Sequence, residues 1–298
     1  MTAVHEIATA VEAGTKRRRR TWLPFGYLSV PMTVLVLLVF VPTIILFLIS
    51  LGMKVGRGQN VWSLDAYASI LTDPLYHKVA LTTVFIATCA MIVQLVIGVP
   101  LAYVMAFKSG RLEVPLLLGL VLLDQLNPVI RVYAWRMLLG RNGIINGFLQ
   151  AIGVINNPID WLLFNEVTVV IVLSTSWITY TVIPLYAAMK AIDTRLFQAA
   201  ADLGAGWLVM TRRILLPLAA PGIFMAVLLV YIPLFTDFAT PTLVGGTSGY
   251  MLGQAVNDLI LEQGDLARGA ALSNLMLLAA GVVAAIAFRL AKINKLEA

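Results

Sequence analysis

The sequence has 298 residues, of which 60% are hydrophobic and only 12% charged, and its mean hydropathy is +0.91. Soluble domains carry about 25% charged residues, so a water-soluble fold is excluded and a membrane protein is expected. The formal charge is +6, but the basic residues gather at the ends of apolar segments, which argues against nucleic acid as a partner. Cys89 is the only cysteine, so no internal disulfide can form. His5 and His77 have no companions at metal-ligand spacing, and no metal site is expected.

Residues 1–26 form a polar tail with a basic run, KRRRR, at 16–20. The apolar run that follows, near 27–51, is too long for the core of a cleaved secretory signal. It reads as a first spanning helix with its tail held in the cytoplasm. Five more segments reach the roughly 20 apolar residues that a bilayer core demands. They lie near 79–107, 113–138, 165–189, 219–243 and 267–290. The expectation is an all-α membrane protein with six spans over 27–290 and a short cytoplasmic tail at 291–298. The third segment is the least pure, with Asp124, Asn127, Pro128, Arg131 and Arg136; the fifth carries Asp237 and Pro241.

Lys and Arg set the orientation. With the N-terminus inside, 14 of the 21 basic residues fall on the cytoplasmic side and 6 outside, leaving Arg131 within a span. Both termini are therefore expected in the cytoplasm. The outer stretches WSLDAYASIL and GRNGIINGFL read as short amphipathic helices across the mouth of the bundle.

The inner stretch RLFQAAADLGAGWLVMTRRILLPLAAPG, 195–222, interrupts the apolar chain. Asp193 is placed to cap a helix starting near Thr194. Leu196, Ala199, Ala200, Leu203 and Trp207 recur at helical spacing and give one apolar face. Gly204 and Gly206 suit a helix end or corner. A second short helix can run to Leu216, with Pro217 and Pro221 interrupting it before the fifth span. On periodicity alone the segment is either an interfacial hairpin that merely connects two spans or a flat-faced docking element.

The residues themselves go further. The order Gln198-Ala199-Ala200, three residues, Gly204, nine residues, Ile214-Leu215-Leu216-Pro217 resembles the EAA loop of binding-protein-dependent ABC transporter permeases. Every spacing fits, and the one departure is Gln198 where the family usually has Glu. The stretches RVYAWRMLLGRNGIINGFL (131–149) and DFATPTLVGGTSGYMLGQAV (237–256) are similar to segments of the spermidine/putrescine-type branch. The resemblance implies a type I ABC importer permease fold with a cytoplasmic coupling-helix loop over 190–218. Gln198, Ala199, Ala200, Asp202, Gly204, Ile214, Leu216 and Pro217 would seat that loop on an ATPase. The implied partners are a cytoplasmic ATPase dimer, a second permease (a heterodimer before a homodimer), and an extracytoplasmic solute-binding protein, all at a bacterial inner membrane. No GxxxxGK[ST] phosphate loop occurs in the chain, so ATP and Mg belong on the partner and this chain binds no cofactor and is no enzyme. The lead solute is a polyamine or a related small amine. The alternative from a different class is a stand-alone secondary transporter or channel for a small cation.

Ionisable residues inside spans are costly and default to functional candidates. Asp237, beside Thr236, Thr240 and Pro241, would suit a cationic solute, or would pair with a basic residue for structure. Asp124 and Arg131 are seven residues apart and would share a helix face, lining the pore or bracing the fold. Tyr133 and Trp135 would be either solute contacts or interfacial aromatics.

Overall fold

The computed structural model describes residues 23–53 and 62–293. The basic run at 16–20, Lys54, Arg57 and Lys295 lie outside the described residues. No strand occurs among the described residues. The chain forms two compact units, 1–48 and 49–298. The first unit is built on α1 (Leu23–Ser50), which holds Pro31 and Pro42 and exposes its apolar side chains from Met32 to Phe40. A helix that is apolar all round and still exposed is a lipid-facing one.

The second unit starts with α2 (Asp65–Thr72), on the predicted WSLDAYASIL stretch, and α3 (Pro74–Phe107). Asp73 opens α3 by accepting the Leu75 amide (2.8 Å), with Pro74 pre-set in the first turn. The third predicted span is two helices, α4 (Glu113–Asp124) and α5 (Pro128–Leu139), followed by α6 (Ile144–Ala151) on the GRNGIINGFL stretch. The axis turns by 92° between α4 and the α5–α6 segment. Pro128 forces Asn127 into an extended conformation, and the Asn127 side chain then caps the restarted helix through the Val129 amide (2.9 Å).

The fourth predicted span is also broken, into α7 (Glu166–Ser176) and α8 (Ile178–Lys190), with a bend of 48°. Ser174, Thr175 and Ser176 all turn their hydroxyls back onto carbonyls one turn earlier, which bends helices. Next come α9 (Arg195–Asp202), α10 (Trp207–Met210) and α11 (Leu216–Thr236). The last two are one 30-residue helix, joined by a π-turn at Thr211–Leu215. The second hairpin helix therefore does not stop at Leu216 ahead of Pro217 and Pro221. The Leu216 amide reaches five residues back to the Thr211 carbonyl, a π-turn directly ahead of Pro217.

The fifth span in turn ends at Thr236 and does not run to 243. Asp237 is extended, a π-turn follows at Pro241–Gly245, and α12 (Leu252–Asn257) leads to α13 (Leu266–Ile293). Among the described residues four helices are long and apolar enough to cross a membrane, and up to six spans result if each bent pair counts as one.

In the second unit α8 packs against both α3 and α11. Small residues permit the approach: a side chain at Gly222 would meet the Ala188 methyl at 2.5 Å and the Pro184 carbonyl at 2.8 Å. One end of the core gathers Ile86, Leu173, Val230, Leu234 and Met251; the other gathers Met105, Leu185, Met189 and Leu215. Between them Gln94, fully buried, donates to the Leu173 carbonyl (3.1 Å) and accepts from Thr181.

Gly222→Val is expected to pry α11 from α8 at a cost of about 1–3 kcal/mol. The check is the melting midpoint of the purified chain in detergent, which should fall by several degrees; an unchanged midpoint would contradict this packing.

Candidate functional site: a helical hairpin and a band of paired helix breaks

The hairpin is built as its sequence dictates. Asp193 accepts the Arg195 amide (2.9 Å) and caps α9. At the other end the Ala205 amide reaches the Ala200 carbonyl and the Gly204 amide reaches the Ala201 carbonyl, both at 2.9 Å. That pair of bonds is a Schellman closure, which puts the residue after the helix in the left-handed region. Gly204 has φ +78°, and nothing lies within 4 Å of where a side chain would grow. The distance from Ala199-Ala200 to Gly204 is thus the distance from a helix's last turn to its glycine stop.

The apolar residues of α9 fall on two lines. Phe197 and Ala200 are half-buried, and the Phe197 ring meets Phe107 at the end of α3 edge-on (5.4 Å). Trp207 meets Tyr103 likewise (4.8 Å). These contacts bolt the hairpin to α3. Leu196, Ala199 and Leu203 are exposed, Leu203 by 88%. The single apolar face expected from spacing is therefore split: Ala200 belongs with the inward line, Trp207 starts the next helix, and Phe197, which the spacing argument passed over, is the anchor. Gln198 and Asp202 are exposed beside the outer line. Ile214 and Leu216 are half-buried where α10 joins α11, and Pro217 is exposed.

The charged candidates sit at the helix breaks. Asp124 and Arg131 do not share one helix face, because the chain turns between them. Arg131 donates to the Leu123 (2.9 Å) and Leu126 (3.3 Å) carbonyls at the end of α4, and to the Ser176 carbonyl at the end of α7. One guanidinium thus closes the breaks of two spans. Asp124 accepts from the Tyr180 hydroxyl (2.9 Å), and Thr179 donates to the Leu120 carbonyl (3.1 Å), so three ties join the same two breaks. Trp135 is half-buried against the core, and Tyr133 is exposed.

Asp237 stands at a third break. Its carboxylate accepts the Thr240 amide (2.8 Å) and so opens the turn that leads to Pro241. Pro241 starts that turn and frees no carbonyl inside a continuing helix. Gly253 comes so close that a side chain there would strike the Asp237 carbonyl oxygen at 2.5 Å. The Thr236 hydroxyl is turned back to the Ile232 carbonyl (3.0 Å). The buried indole N–H of Trp177 and hydroxyl of Thr240 lie beside the Asp237 carboxylate without closing direct bonds. Trp177 also pairs with Tyr180 (ring centres 5.6 Å apart). The candidates are therefore linked in one band: Asp237, Trp177, Tyr180, Asp124. Trp177 and Tyr180 were not picked out from sequence; an aromatic pair three apart in WITY is the signal that could have found them.

Asn146 is another residue that spacing did not single out. It is fully buried, accepts the Ile159 amide (2.8 Å) and donates to the Gly140 carbonyl (3.1 Å), which folds the 140–159 stretch onto itself.

The family model described as "Binding-protein-dependent transport system inner membrane component" matches residues 16–294. The spermidine/putrescine transport system permease protein PotB of Salmonella typhimurium strain SL1344 is 33% identical over 87% of this chain and 90% of its own. The protein of the same name from Escherichia coli K12 is 32% identical over 87% and 94%. A solved chain from a bacterial alginate ABC transporter, in complex with a pentasaccharide-bound periplasmic protein, superposes with a TM-score of 0.73 at 16% identity. It covers 93% of this chain and 99% of its own, a likeness of fold.

Arg131→Ala should strip the donor from the half-buried Ser176 bond and from the exposed Leu123 and Leu126 carbonyls on an apolar stretch, and cost about 1–3 kcal/mol. Thermal unfolding in detergent reads this directly. A melt like that of the unaltered chain would mean that the guanidinium holds neither break.

Proposed function

This chain belongs to the family of binding-protein-dependent transport system inner membrane components, and on that footing we propose that it carries polyamines or a related small amine across the membrane. It is a permease subunit of an ABC importer, in a family whose ATPase activity lies on a separate subunit. The stand-alone transporter gives way to this membership. The amine reading rests on the named function of the PotB relatives and on the acid–aromatic band.

The observation that carries the mechanism is the split α9. Its inward line is consumed by Phe107 and the core, while Leu196, Ala199 and Leu203 are left exposed among the described residues. We assign that outer line, with Gln198 and Asp202 beside it, to a groove on a cytoplasmic ATPase dimer. Gly204 gives the helix its stop, and Ile214, Leu216 and Pro217 join the hairpin to α11. Gln198 can hydrogen-bond but brings no charge, so seating depends on shape. In this topology both termini are cytoplasmic, and a second, related permease completes the pore. An extracytoplasmic binding protein delivers the solute. ATP and Mg act on the ATPase.

In the solute path, Asp237 and Asp124 supply negative charge and Trp177 and Tyr180 supply faces for an ammonium group. Thr236, Tyr133 and Trp135 border the path, and Arg131 holds the breaks that shape it.

Two outcomes follow for the transporter reconstituted with its ATPase and binding protein. Ala199→Trp leaves the chain's own fold intact, since Ala199 is exposed, but weakens ATPase association by about 2 kcal/mol or more, as for a residue central to an interface. Co-purification and uptake should fall together; normal uptake would refute the docking line. Asp237→Asn keeps an oxygen for the Thr240 amide but removes the charge. The amine solute's KM should rise roughly tenfold, the worth of one charged hydrogen bond. An unchanged KM would leave Asp237 with its turn-capping role alone.

A further inference from the structure

The hairpin end of the bundle carries more positive charge than its own contacts use. Lys190 there is spent on Glu113 (2.7 Å), which also accepts from Tyr186. Lys108, Arg111, Arg195, Arg212 and Arg213 are exposed, and their side chains have no ion-pair or hydrogen-bond partner among the described residues. Of the acids nearby in sequence, Asp193 caps α9 and Asp202 is exposed on it.

Helix length bounds the depth of two of these cations once the helix end at Thr236 is taken as one boundary. The helix from Trp207 to Thr236 has 30 residues, about 45 Å at 1.5 Å per residue. A hydrocarbon core is about 30 Å thick, and a tilt of about 20° takes off only about 3 Å. With Thr236 at one boundary, the hydrocarbon ends near Leu216. Arg212 and Arg213 then fall roughly 5 Å beyond it, at the level of lipid phosphates. The neighbours agree with that depth. Trp207 is half-exposed with its edge against Tyr103, as interfacial aromatics are. Leu208 beside it is 67% exposed. The same ring contact brings the end of α3, and with it Lys108, to this level.

We propose that Arg212 and Arg213 hold the phosphate of an anionic phospholipid at the hairpin end of the bundle. The two guanidinium groups offer forked donors that match phosphate oxygens. The exposed Trp207–Leu208 surface takes the first carbons of the acyl chains. An acidic protein surface fits less well, because Arg212 and Arg213 stand beside the exposed apolar Trp207–Leu208 surface, which suits acyl chains better than an acidic partner. The site needs only that this helix spans a bilayer, so it stands or falls independently of the solute.

The test is native mass spectrometry of the full chain released from nanodiscs of phosphatidylcholine doped with phosphatidylglycerol. The unaltered chain should retain phosphatidylglycerol in preference to phosphatidylcholine. The R212Q/R213Q double variant should lose that preference, roughly fivefold for each arginine at about 1 kcal/mol per basic residue near the surface. R195Q, on the hairpin itself, should keep it, and R212K/R213K should keep most of it and report folding. Equal phosphatidylglycerol retention by the double variant would overturn the proposal. So would displacement of the lipid by free inorganic phosphate, which would mark a site for the anion alone. A double variant that keeps its lipid but loses the ATPase in detergent would assign the arginines to the protein partner instead.

Discussion

Inside hydrocarbon every backbone carbonyl must find a donor within the protein, and this chain breaks its spans in two places where that rule bites and turns sharply at a third, past the end of α11. At the α4–α5 and α7–α8 breaks the answer is Arg131, whose guanidinium serves carbonyls of both. After α11 the Asp237 carboxylate plays the reverse part, accepting the first amide of the next turn. Deeper in the bundle Gln94 ties α3 to both halves of the fourth span. The polar groups that composition marks as anomalies are therefore the fastenings that allow irregular backbone at membrane depth. Irregular backbone is tolerated there only where it is buried in protein or lines a cavity, and the solute path proposed along the band from Asp237 to Asp124 accords with that rule.

The hairpin and that band lie at opposite ends of one stiff element. Trp207 is held against Tyr103, and the same helix runs without interruption to Thr236, beside Asp237. Under the docking proposed for α9, a displacement imposed on it would be carried by this helix toward the breaks. The π-turn at Thr211–Leu215 is its most irregular point. It lies directly ahead of Pro217.

Much of this was legible from the residues. Apolar run length located the four long apolar helices among the described residues, since about 20 residues is a bilayer constraint whatever the packing, but not the breaks in the third and fourth segments. The Asp193 cap and the Gly204 corner were readable because both obey local backbone chemistry. The α4–α5 break was written in Asn127-Pro128, yet two charges seven apart still read as one helix face, because periodicity presumes a continuous axis. The α7–α8 break comes from consecutive hydroxyls bonding backward, which apolar counting ignores. Phe197 was missed for a related reason: α9 has apolar residues on two lines, and only the tertiary contact with Phe107 decides which one the chain keeps for itself. The roles of Arg131 and Trp177 depend on elements distant in sequence.

The central claim is that the outer line of α9 is filled by the ATPase. A photo-reactive amino acid placed at Leu203, 88% exposed in this chain, tests it in the assembled transporter. Illumination should yield a covalent adduct with the ATPase subunit and none with the binding protein. Adducts with lipid or the second permease alone, while the ATPase still co-purifies, would contradict the account.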